Sequence, residues 1–462
     1  MERRLATGPR PARGPTLSTF TPDNAASLPG APWLRQRRAA AAEEFVGAPL
    51  PTGKDEVWRY SRIDALDLDR YAGPAGSTVG TGELPGPSPS DRVRWLVDGL
   101  GPRSGLVVTV NGSLATVASA TPESLLTIGR LSEHPEAEAL FGSVATDPRE
   151  FVLLNEAFTA DPLVVDVPAG TDLEHPVVVV HLVGGPTSRA VFPRTVVRAG
   201  PGARASVVEL VVDAASPLLA DRAPTPSLDD PGDPGHLVVP VTELRVADGA
   251  TLAFVSIQAL GPATWQLAHQ ASVIGAGAAL DSFAVALGGG YARLRTDSAL
   301  VGESGSSRLR AAYLGRDDQM LDFRTLQDHA APKTTSDLLF MGAVADTAHS
   351  VYSGLIRVRR GAVKADAVQT NHNLVLDEGA HADSVPNLDI EENDVRCSHG
   401  STVGPVDEDQ RYYLESRGVE PATAERLIVA GFFEAIAGQV PVAGARTTVS
   451  RALAERTGGH GA

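Results

Sequence analysis

Between Leu163 and Asp394 the apolar residues come in short β-branched runs cut by glycine, with almost no helical periodicity. Runs of that length and composition predict strands. Gly275, Gly288, Gly302, Gly315, Gly342 and Gly354 follow one another at intervals of 13, 14, 13, 27 and 12 residues, so the long interval is one doubled step. A step of that size fits a strand and its turn, and stacked steps let each rung bury its inward residues on the next. Ile356, Arg357, Val358 and Arg359 alternate apolar with charged, as inward and outward positions of one strand do. The pattern predicts a mainly β chain with a β-helix (solenoid) core, and a β-sandwich of regular hairpins is the competing architecture.

The flanks read differently. Residues 1–30 are rich in Pro, Gly, Ala, Ser and Thr and are expected to be mobile. From Pro32 to Phe45 a helix is expected, anchored by Trp33, Leu34 and Phe45, with the basic run between them on a solvated face. Residues 73–90 read as a linker, and the Asn111-Gly112 pair between two β-like runs marks a hairpin over 105–117. Residues 215–235, rich in Pro and Asp, read as a loop thrown out from the coil. After Gly404 the pattern turns helical. Asp407 can cap a first helix through Gln410, Gly418 stops it, Pro421 opens a second, and a third runs from Ala445 to Arg456. Leu427, Ile428, Phe432, Phe433 and Ile436 form one apolar stripe on the second helix. The expected division is a mixed α/β N-terminal region over 1–160, the β-helix over 161–396 and a small α-helical C-terminal domain over 397–462.

Composition narrows the function. The 462 residues hold 43% hydrophobic side chains, enough for a sizeable core, but only 5% aromatic ones, which suits thin repeated layers. With 40 basic against 56 acidic residues and a net charge of −16, an electrostatic grip on nucleic acid or anionic lipid is not expected. No apolar run approaches the roughly 20 residues that span a bilayer. One cysteine excludes an intrachain disulfide framework, and no signal-peptide core follows the N-terminal arginines, so a cytoplasmic location is expected.

Two nucleotide motifs fail on inspection. Gly47 to Lys54 lacks the P-loop spacing, contains two prolines and has Asp55 where a hydroxyl would hold magnesium. The Gly200 to Ala205 run has strands on both sides and no helix to receive a pyrophosphate, so it reads as a solenoid turn. Carboxylates gather at Asp383, Asp389, Glu391, Glu392 and Asp394, and paired acids on a β-helix raise the alternative of a carbohydrate-active enzyme working through Asp389 and Glu391. Aromatic residues to stack on sugars are scarce there. His329, His349, His372, His381 and His399 fall in the last third of the core and could approach Cys397 if the rungs stacked them on one face. Cys397 and His399, two residues apart among flexible glycines, form the candidate metal-ligating pair.

HSVYSGLIRVRRGA at 349–362, QTNHNLVLDEGA at 369–380 and the run from RCSHGSTVGPVDEDQRYYLESRG onward resemble the SufB/SufD family of iron-sulfur cluster assembly proteins. The resemblance is strong over roughly the last 150 residues and weaker back to Leu153, with KDEVWRYSRID at 54–64 similar to the family's N-terminal region. SufB proteins carry a cysteine where this chain has Asn371, and a His-Glu pair where it has His399 and Gly400. Both departures resemble SufD, with a SufB-type paralogue as the alternative. The resemblance implies a β-helix and a non-catalytic scaffold subunit that pairs with SufB through their β-helices. It also implies that the C-terminal helices dock the separate ATPase SufC, around Leu427, Phe432 and Phe433. Iron or a nascent iron-sulfur cluster would be shared with the partner, with His399 first among the ligands, Cys397 beside it and His372 a distant third. One thiolate cannot hold a conventional four-thiolate cluster, so the missing ligands must come from a partner. A flavin and a homodimer of the isolated chain are left open.

Overall fold

Strands of about ten residues succeed one another from Trp265 to Gly404 and enter two sheets in turn. Trp265–Ile274, Tyr291–Leu300, Met320–His329, His349–Val358 and His381–Ile390 stack in one sheet. Ala279–Ala286, Ser306–Gly315, Thr335–Val344, Asp366–Val375 and Arg396–Gly404 stack in the other. Each strand pairs in parallel with the strand two along the chain, as in Met320↔His349 and His349↔His381. One coil is thus two strands and two turns, a β-solenoid. This computed structural model describes residues 18–74, 89–146, 150–213, 215, 216, 218 and 235–458. Residues 1–17 of the tail expected to be mobile over 1–30, most of the 73–90 linker and most of the 215–235 loop lie outside those residues.

The glycine rhythm has two origins. Gly302 sits in a turn so close to the preceding one that a Cβ would meet the Ala276 nitrogen at 2.0 Å. Gly342 instead lies inside a strand and faces the interior, where a Cβ would fall 1.8 Å from the ring of Tyr313. Gly354 is likewise a strand residue. The rhythm also fades because glycine holds the left-handed turn position in earlier turns, at Gly202, Gly249 and Gly277, but gives way to other residues further on. Ser304, Asp317, Lys333, Asp346 and Lys364 hold the equivalent φ of 54–61° in later turns.

Inside the coil, Tyr313, Phe323, Phe340 and Tyr352 stack with ring centroids 4.5, 5.7 and 5.5 Å apart, and all four are buried. Each such burial contributes on the order of 1.5–3 kcal/mol. Outside, the two sheet faces are covered unequally. Phe20, Phe45, Trp58, Phe151 and Phe158 pack with Met320 and Val351 over one sheet, and the C-terminal helices pack Val429, Phe433 and Ile436 over the other. The 54–64 segment is held by charge. Arg293 donates to Asp322 at 2.6 Å and to the Val57 carbonyl at 2.7 Å, with its guanidinium 3.8 Å from the Trp58 ring centroid. Arg324 donates to the Arg59 carbonyl at 2.7 Å.

Several boundaries move. Residues 18–30 are packed rather than mobile: Phe20 and Ala25 are fully buried, and Thr21 caps the helix Pro22–Ser27. Arg38, expected on a solvated face, is buried and donates to the Leu28, Pro29 and Ala160 carbonyls. The expected hairpin forms with Asn111 and Gly112 both at positive φ, yet its first strand, Gly105–Val110, already pairs in parallel with Val177–Val183. The solenoid sheet therefore begins well before residue 161. At the other end the ladder continues through Gly404, so Cys397 and His399 belong to the last strand, and the helices begin at Glu408. Ser, Thr and Gly hide that strand because it is paired on one side only and buries little. Asp407 caps Glu408–Ser416 through the Gln410 nitrogen at 2.9 Å, and Gly418 ends it at φ 86°. The next two C-terminal helices are Pro421–Ala437 and Ala443–Gly458, and no helix among the described residues is long and apolar enough to cross a membrane.

Candidate functional site: the open end of the solenoid

Among the described residues the last rung has no successor. His381–Ile390 ends one sheet and Arg396–Gly404 ends the other, so each leaves one row of backbone donors and acceptors without a ladder partner. On Asp366–Val375, Ala367, Gln369, Asn371 and Asn373 are buried and face the interior, while Val368, Thr370 and His372 face outward. Cys397 pairs in register with Ala367, His399 with Gln369 and Ser401 with Asn371. Cys397 and His399 therefore continue the interior row at its open rim, two residues apart on the same face of one strand.

Their surroundings differ. Cys397 is half-buried against Ile356, Val358 and Ala367, and burial pushes its thiol pKa up, with the Asp366 carboxylate adding to the shift. His399 is exposed, and among the described residues no hydrogen bond or ion pair engages its imidazole. His372 stands on the opposite face of the sheet and is bonded to Thr402 through Nδ1 at 2.5 Å, so the structure does not bring it to the other two. The five histidines do not share a face. His329 is buried in the interior between Thr334 and Ser336, at 2.8 and 2.9 Å, whereas His349 and His381 lie on the outer face of the other sheet. Among the described residues no third His, Cys, Asp or Glu joins Cys397 and His399 at ligand distance.

Beneath the rim the interior is polar, which sequence reasoning missed. Asn371 donates to the Tyr313 hydroxyl at 3.0 Å, that hydroxyl donates to Asn373 at 2.6 Å, and Asn373 donates to Asn371 at 2.7 Å. Gln369, fully buried directly below His399, has neither amide atom hydrogen-bonded among the described residues. A reader could have found this row by asking which alternate positions of Asp366–Val375 are polar on the side that the pleat buries.

The two candidate acids stand in solvent. Asp389 is exposed and ion-paired with Arg357 at 3.2 Å, and Glu391 is exposed. On the C-terminal side the expected stripe splits. Phe433 is buried against the sheet, Phe432 is half-buried with its ring centroid 5.4 Å from that of Phe433, and Leu427 is 53% exposed. The helix Glu408–Ser416 buries no residue and holds Tyr412 and Tyr413 in solvent.

Comparison with known proteins agrees with this architecture. The family described as SUF system FeS cluster assembly, SufBD core domain, matches residues 181–432. The iron-sulfur cluster assembly protein SufD of Escherichia coli is 26% identical over 84% of this chain and 85% of its own length. A SufBD family protein of Mycobacterium tuberculosis is 37% identical over 46% of this chain, which spans 55% of that relative, and SufD of Bacillus subtilis is 35% identical over 32% of this chain and 34% of its own length. The chain belongs to the SufBD family of iron-sulfur cluster assembly proteins and is most like SufD.

Proposed function

We propose that this protein is a non-catalytic cytoplasmic scaffold subunit whose open solenoid end pairs with a SufB-type partner, and that the rim between them takes up iron and builds the cluster. The carrying observation is the bare last rung. It combines unpaired strand edges, exposed Leu388, Ile390 and Val403, and a thiol and an imidazole too few to hold a cluster alone. His399 is the principal ligand that this chain offers and Cys397 its replaceable neighbour. His372 supports the strand from the far face. Iron and sulfide are cargo, which thiolate and imidazole suit chemically. The C-terminal helices dock a SufC-type ATPase through outward residues such as Leu427, with Phe432 and Phe433 fixing the helix beneath.

Leu388→Lys with Ile390→Lys tests the pairing, because both residues face the rim. Co-expression with SufB- and SufC-type partners should yield a complex with the parent chain and leave the double variant folded but unpaired. A double variant that still forms the full complex would overturn the proposed interface.

A further inference from the structure

On the outer face of the other sheet, away from the rim pair, three side chains converge that the proposed function does not use. His349 and His381 are partners in parallel register on adjacent strands, and Asp383 lies two residues beyond His381 on the same face. One carboxylate oxygen of Asp383 is 2.8 Å from His349 Nε2 and the other is 3.4 Å from His381 Nε2. One donor atom from each residue lies within 4.8 Å of the other two, and the imidazole centroids are 5.1 Å apart. We propose that His349, His381 and Asp383 form a binding site for a divalent first-row transition metal such as zinc or iron(II).

The donor set carries the argument. Two neutral imidazoles and one carboxylate, all on one side, are the ligand type that such ions take with open positions left over. Tetrahedral bonds of roughly 2.0–2.2 Å put donor atoms about 3.3–3.6 Å apart. Both Nε2 atoms already face the carboxylate, and His381, with its side chain 67% exposed on an edge strand, has the rotamer freedom to close the remaining gap. Beside them, Met320 pairs with His349 and Val351 with Asp383, and both are buried, so the site stands next to an apolar floor that strengthens its electrostatics. Without metal, His349 and Asp383 form an ordinary hydrogen-bonded pair, and the ion would replace the shared proton.

Cobalt(II) and zinc(II) are the probes. Titrating the full chain with cobalt(II) should show one equivalent with visible d–d absorption, and zinc(II) should displace it and raise the melting temperature. His381→Ala and Asp383→Asn should each weaken that binding at least tenfold, while Cys397→Ser and His399→Ala leave it unchanged. His381 is exposed enough that its variant will fold even if the Asp383 variant does not. Absence of bound cobalt in the parent chain, full binding by both site variants, or loss only on substituting Cys397 or His399 would each overturn the site.

Discussion

His399 lies in register with Gln369 across the final pair of strands, so an exposed imidazole caps a fully buried amide that has no hydrogen-bond partner among the described residues. The relationship joins the two parts of the account. The row that lines the solenoid is polar beneath the rim, and it ends in the only two side chains of the last strand that soft metal chemistry would choose. A further coil would bury both, and none covers them among the described residues.

The interior row should be intolerant of bulk. A methyl added at Gly342 meets the Tyr313 ring, which Asn371 and Asn373 hold by hydrogen bonds. Gly342→Ala should lower stability by about 1–3 kcal/mol in urea unfolding, whereas Gly431→Ala, at an exposed position of its helix with nothing near its would-be Cβ, should raise it by roughly 0.5–1 kcal/mol. Equal effects at the two sites would mean that the tyrosine is free to move.

Acid should find His329. Burial lowers its pKa from 6.5 to about 4, against an upward pull from Asp328 and Asp366. The unfolded chain therefore takes up a proton that the folded chain refuses across that interval, and stability present above pH 6.5 is lost as pH falls toward 4. His329→Gln should flatten the stability curve in that window by up to about 3 kcal/mol. An unchanged slope would place the proton uptake elsewhere.

The two sides of the helix Pro421–Ala437 should separate fold from docking. Phe433→Asp buries a charge against the sheet and should cost more than about 3 kcal/mol, seen as loss of the folded chain. Leu427→Asp should leave the melting temperature within a few degrees and weaken binding of a SufC-type ATPase at least tenfold. Tight ATPase binding by the folded Leu427 variant would remove that residue from the docking face.

Periodicity made the solenoid legible because its turns and its interior both demand glycine, at Gly302 for backbone approach and at Gly342 for a tyrosine ring. The same signal misplaced the ends. Gly105–Val110 reads as a local hairpin because its parallel partner, Val177–Val183, is distant in sequence, and Arg396–Gly404 has too little buried surface to read as a strand. Cys397 and His399 were legible as a pair from spacing and resemblance. His372 already ranks well behind them in the sequence, and the pleat supplies the reason, since it stands on the other face. The cluster of His349, His381 and Asp383 needs the register between two strands 32 residues apart, which no local pattern carries.

The most direct test is bound iron in the assembled complex. The chain and its His399→Ala variant, each purified anaerobically with SufB- and SufC-type partners, should show the same subunit ratio, melting temperature and ATPase rate, because His399 is exposed and has no partner among the described residues. The variant complex should carry less than about a tenth of the parent's iron and acid-labile sulfide, the scale of loss expected on removing a metal ligand. Normal iron loading in an intact His399→Ala complex would contradict the shared-rim site.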